Sequence, residues 1–176
     1  MNDYYNTVDV KVGAAIRQWV IFEYGSDTIR LSKGQNLWAI VKQNLELLPQ
    51  DYKILSDRSE YISIVLLATR GNKEPIFNYP SDRLLHINEL YRCYIAEPGQ
   101  NAIKRYLENQ FRHSFTVYMI GRQSESGGKI KIQAAISDFL QDFGIDVTAQ
   151  RLSTLSKYWY RFRVKYPDKY PLPIFF

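Results

Sequence analysis

The sequence predicts an α+β fold: a small N-terminal sheet with helices, followed by a mainly helical C-terminal part of three helices with a helix-turn-helix-like layout. Three observations predict it. Alternating or β-branched runs are confined to the residues before about 96, whereas apolar residues spaced by three and four dominate afterwards. The composition, 45% hydrophobic and 23% charged over 176 residues, suits one substantial core or two small domains and excludes a disordered or fibrous chain.

Val8, Val10 and Val12 alternate with Thr7, Asp9 and Lys11, the period of a half-buried strand. The AAIRQWVIF segment that follows suits either a helix or a continuation of the sheet. Gly25, Ser26 and Asp27 mark a turn, and Thr28 to Leu31 is a short strand candidate. Ser32 is a candidate N-cap for a helix through Leu48, with Leu37, Ile40, Val41, Leu45 and Leu48 as its apolar stripe and Pro49 as its stop. Tyr61 to Thr69 reads as a buried strand that a turn at Arg70-Gly71-Asn72-Lys73 returns as a hairpin through Ile76 to Tyr79.

Pro98 fits the first turn of a long amphipathic helix over 98–120, with Ile103, Tyr106, Leu107, Phe111, Phe115 and Tyr118 on one face and Gly121 closing it. The polar, glycine-ended segment Arg122 to Gly128 is the expected boundary between a domain of residues 1–121 and a helical subdomain of residues 129–176. A second helix carries Ile132, Ala135, Ile136, Phe139, Leu140 and Phe143 and stops at Gly144. The third starts at Asp146 or Thr148, both suitable N-caps, and runs to about Lys165 before Pro167.

Several function classes find no footing. No run of 18 apolar residues exists and the N-terminus lacks a signal-peptide pattern, so a chain free of membrane and resident in the cytoplasm is expected. One cysteine, Cys93, forms no internal disulfide, and two histidines, His86 and His113, assemble no common zinc pattern. SESGGKIKI departs from a P-loop, which needs glycine and Ser/Thr where Gln123 and Ile130 stand. Asp138, Asp142 and Asp146 repeat every fourth residue but bring no further ligand, and Arg105, Glu108 and Arg112 read as solvated ion pairs. No nucleophile, base and orienting group can be nominated together, so no catalytic residue, metal or cofactor is expected.

The charge points elsewhere. Residues 1–60 carry seven Lys/Arg against eight Asp/Glu, residues 61–128 eight against six, and residues 129–176 eight against four, which places most of the net +5 at the C-terminal end. At 100° per residue, Leu152, Leu155, Trp159 and Phe162 make a buried stripe on the last helix. Gln150, Arg151, Thr154, Lys157, Tyr158, Arg161 and Lys165 fill the opposite side, with four cations and no carboxylate. That mixture suits a helix lying along a nucleic-acid groove, where Arg and Lys meet phosphates and Gln, Thr and Tyr donate hydrogen bonds to backbone or base edges. The leading expectation is therefore a non-enzymatic nucleic-acid-binding protein, with DNA as the partner.

A second expectation rests on aromatic content. Fourteen tyrosines and nine phenylalanines, and a proline-stiffened end carrying Leu172, Ile174, Phe175 and Phe176, suit docking on a protein partner or on further copies, as in a structural or assembly subunit of a larger complex.

Overall fold

The computed structural model describes residues 6–32, 34–47, 57–66, 93–127 and 130–166. The predicted hairpin through Ile76 to Tyr79, His86 and the terminal residues Leu172, Ile174, Phe175 and Phe176 lie outside the described residues. The fold is α+β, and the chain divides into two compact units, residues 1–109 and residues 110–176.

In the first unit, β1 (Asn6–Lys11), α1 (Ala14–Tyr24), β2 (Thr28–Arg30), α2 (Asn36–Gln43), β3 (Leu45–Leu47), β4 (Tyr61–Leu66) and β5 (Cys93–Ile95) precede the long α3 (Glu97–Glu125). One sheet has the order β1-β4-β2, with β1 antiparallel and β2 parallel to β4. Val8 faces Ile64, Val10 faces Ile62, and Ile29 faces Ile64 from the other side. As the central strand, β4 buries every residue from Ile62 to Leu66, whereas β1 at the edge buries only alternate residues. Ser63 is the polar residue in that buried run. Its hydroxyl donates to Asp9 Oδ1 at 2.7 Å and accepts from the Arg58 guanidinium at 2.6 Å, so its burial leaves no polar group unsatisfied.

The AAIRQWVIF segment is helical: α1 buries Ile16, Trp19 and Val20, and Gly25 ends it in the left-handed conformation at φ 73°. Arg17 on its flank donates to the Tyr61 carbonyl at 3.2 Å and pairs with Asp27 at 2.5 Å.

The second helix is shorter than its apolar stripe predicts. Its N-cap is Gln35 rather than Ser32, and it ends at Asn44, whose side-chain amide donates to the Ile40 carbonyl at 2.8 Å. Leu45 is buried as a strand residue opposite Ile95, so its place on a helical stripe was a coincidence of spacing. The first turn of α3 is fastened beside this two-stranded sheet. Gln100 accepts from the Lys11 amide at 3.1 Å and donates to the Ile95 carbonyl at 2.9 Å. A β-carbon on Gly99 would stand 2.6 Å from Asn44 Cβ, so only glycine permits this approach.

Gly121 does not close α3, which runs on to Glu125. Gln123 is buried in that last turn, and Arg122 pairs with Asp138 at 2.5 Å, contacts that keep Arg122–Glu125 helical where a polar connector was expected. The second unit combines this part of α3 with α4 (Ile132–Asp142) and α5 (Ala149–Lys165). Its core is aromatic. Phe139 packs on Phe115 edge-to-face at 5.1 Å and on Phe143 at 4.5 Å, and Trp159, fully buried, stands edge-on to Phe115 and stacks on Phe162 at 5.4 Å.

Candidate nucleic-acid interface

The turn between α4 and α5 fixes how α5 begins. Gly144 takes a left-handed conformation at φ 64°, its amide donates to the Gln141 carbonyl at 3.0 Å, and the Ile145 amide donates to the Leu140 carbonyl at 2.7 Å. This is a Schellman closure, and the buried Ile145 side chain is the apolar contact that accompanies it. Of the two candidate N-caps, Thr148 serves: its hydroxyl accepts from the Arg151 amide at 3.2 Å. The Arg151 guanidinium turns back over the same loop, donating to the Asp146 carbonyl at 2.7 Å and lying 3.4 Å from its carboxylate.

Along α5 the buried residues are Leu155, Trp159 and Arg163, with Leu152 and Phe162 half-buried beside them, so the predicted helical phase is observed. Of the seven residues predicted on the other side, Gln150, Thr154, Lys157, Arg161 and Lys165 are exposed. Their spacings of four, three, four and four put them within an arc of about 80°, a continuous stripe about 22 Å long.

The other two sit off the stripe. Arg151 is held by Asp146. Tyr158 is half-buried, its ring 6.0 Å from Phe115 and under the Arg112 guanidinium at 5.8 Å, its hydroxyl 3.5 Å from Thr116 Oγ1. The Arg112 guanidinium thus also lies on an aromatic face.

Arg163 is one of the eight cations of residues 129–176. It is 4% exposed, and burial lowers its pKa from the usual arginine value. Its position was legible from the phase, since it follows Trp159 by four residues and so lies about 40° from it. Its charge contributes nothing to the exposed stripe.

Lys157 and Arg161 form no ion pair with any described residue, and the Lys165 ammonium rests over the Tyr166 ring at 5.5 Å. The described aspartates of this unit are engaged elsewhere: Asp138 by Arg122, Asp146 by Arg151, and Asp142 by the Tyr118 hydroxyl at 2.9 Å. Partial burial, with the bond to Asp142 and that carboxylate's charge, pushes the Tyr118 phenol up to about 12. A cleft of about 340 Å³ where α3 ends and α4 begins offers a contrast, since Arg122 and Lys131 are balanced there by Glu125 and Asp138. Among the described residues the α5 stripe therefore carries uncompensated cations, whereas those lining the cleft are balanced.

His113 is exposed on α3, and Cys93 is buried in β5. Among the described residues no three His, Cys, Asp or Glu side chains gather, and no helix is long and apolar enough to cross a membrane. No protein-family model, curated protein or solved structure compared with the chain matches it.

Proposed function

We propose that the protein is a non-enzymatic, cytoplasmic nucleic-acid-binding protein that holds double-stranded DNA along the exposed stripe of α5. The observation that carries this reading is the alignment of Lys157, Arg161 and Lys165 on one solvent-facing stripe without a carboxylate partner among the described residues. Three unpaired cations spread over about 12 Å of helix suit successive backbone phosphates. DNA is favoured over duplex RNA because a helix about 10–12 Å across fits the major groove of B-form DNA and not the deep, narrow groove of A-form RNA.

The test is the salt dependence of duplex binding. Replacing Arg161 and Lys165 together with alanine is expected to weaken binding to every duplex sequence and to flatten the salt slope by about 1.8 log units per log unit of salt, for two lost phosphate contacts. Binding and slope both unchanged would remove α5 as the contact element.

A second reading, a subunit of a larger assembly, is favoured by one observation. Tyr160 and Val164, 57% and 50% exposed, stand side by side on the flank of α5 next to the cationic stripe. Light scattering on the same samples separates the two: self-association without DNA, lost in Tyr160→Ser, supports the assembly reading.

A further inference from the structure

The stripe on α5 is chemically divided along its length. Its three cations all fall between Lys157 and Lys165, in the C-terminal half. The first two turns expose Gln150, Ser153 and Thr154, with Val147 exposed just before the N-cap. The one cation in those turns, Arg151, is folded back onto Asp146. A surface that only gripped phosphates would gain from a cation at every turn.

What the N-terminal half offers is suited to base edges. A carboxamide donates and accepts at once, the pairing that matches the adenine edge in the major groove. The Gln150 carboxamide is exposed and makes no hydrogen bond to any described residue, so binding breaks no contact within the protein. The Thr154 hydroxyl donates to the Gln150 carbonyl at 2.9 Å, which fixes its rotor. The methyl groups of Thr154 and Val147 are of the kind that contact a thymine methyl. The backbone that carries these groups is fastened, because the Schellman closure, the Thr148 cap and the Arg151 clasp on Asp146 converge on this end of the helix. In helix-turn-helix proteins it is the N-terminal residues of the second helix that reach bases, and α4, a turn of six residues and α5 follow in the same order.

Building on the reading of the protein as DNA-binding, we infer that α5 has a reading half and a holding half. Gln150, with Thr154 beside it, discriminates base pairs in the major groove and favours adenine, while Lys157, Arg161 and Lys165 hold the backbone whatever its sequence.

The experiment uses the full chain and a pool of DNA duplexes with a randomised core. Duplexes retained over rounds of selection are sequenced, and affinity for the enriched duplex and for a scrambled one is measured by fluorescence anisotropy over a range of salt. The wild type is expected to enrich an adenine-containing motif. Gln150→Ala is expected to lower the preference for the enriched duplex about tenfold, leaving scrambled-duplex affinity and the salt slope unchanged. Lys157→Ala is expected to weaken both duplexes equally and to reduce the slope by about 0.9. Thr154→Ser, which keeps the hydroxyl and its bond to the Gln150 carbonyl but loses the methyl, is expected to lower the preference as well and checks the reading half independently of any folding effect of Gln150→Ala.

Binding without enrichment of any sequence, or a preference that survives both substitutions, overturns the division and leaves phosphate holding intact. No binding to any duplex at low salt overturns both the division and the DNA reading beneath it.

Discussion

Around β1 and β4 of the first unit, Lys11 pairs with Glu60, Arg17 with Asp27, and Arg58 with Asp9. On α5 of the second, Lys157 and Arg161 have no such partner among the described residues. The interiors differ as well: the first sheet is lined by aliphatic residues, Val8, Val10, Ile29, Ile62 and Ile64, whereas the second unit closes around Phe115, Phe139 and Trp159. Around β1 and β4 part of this charge acts inward, Arg58 satisfying Ser63 and Arg17 a backbone carbonyl of β4. Charge on α5 acts outward, where no described carboxylate neutralises it. A basic residue count alone cannot make this distinction, since both units contain lysine and arginine.

The largest expected effect tests the aromatic interior. Trp159→Ala is expected to cost about 3 to 5 kcal/mol in chemical denaturation, and its half-buried neighbour Tyr158→Ala about 1 to 2 kcal/mol. Ile64→Val in the sheet is expected to cost only about 0.5 to 1.5 kcal/mol, because one methylene is lost from a core of many similar side chains. Equal losses at Trp159 and Tyr158 would show the helical phase to be wrong and would remove the exposed stripe with it.

The next effect tests inward against outward charge. Arg58→Ala is expected to cost about 1 kcal/mol, since Asp9 and Ser63 lose a charged donor at a partly exposed site. Arg161→Ala is expected to change stability by less than about 0.5 kcal/mol. A comparable loss at Arg161 would mean that its charge serves the fold after all.

The smallest effect concerns pH. Raising the Tyr118 phenol from its ordinary value near 10 to about 12 means that the folded unit favours the neutral form. The stability this contributes is fully present below about pH 10 and is lost as pH rises towards about 12. Relative to Tyr118→Phe, the wild type is expected to hold an advantage under about 1 kcal/mol that fades across that window. An advantage constant with pH would show that the hydrogen bond to Asp142 does not set the titration.

The fold class and the phase of α5 were legible because both rest on periodicity over many residues. Leu155 and Trp159 sit where 100° per residue puts them. Short elements were not legible in the same way. Leu45 fits a helical stripe and a strand equally well, and only its pairing with Ile95, distant in sequence, decides between them. Gly121 and the polar residues after it looked like a stop because propensity is local, whereas the buried Gln123 and the Arg122–Asp138 pair are tertiary. For the candidate interface, spacing found the stripe but not the partners. That Arg151 bends back to Asp146, and that Tyr158 leans on Phe115, depends on neighbours no periodicity encodes.

The cationic stripe also constrains symmetry. In a two-fold dimer each patch meets its own copy, so joining two chains stripe to stripe would set Lys157, Arg161 and Lys165 of one against the same three of the other, six like charges with no described carboxylate between them. Such a pairing disfavours itself at low salt. Any two-fold partnership along α5 is therefore steered to the neighbouring Tyr160 and Val164 flank, which leaves the positive faces of both copies open to solvent.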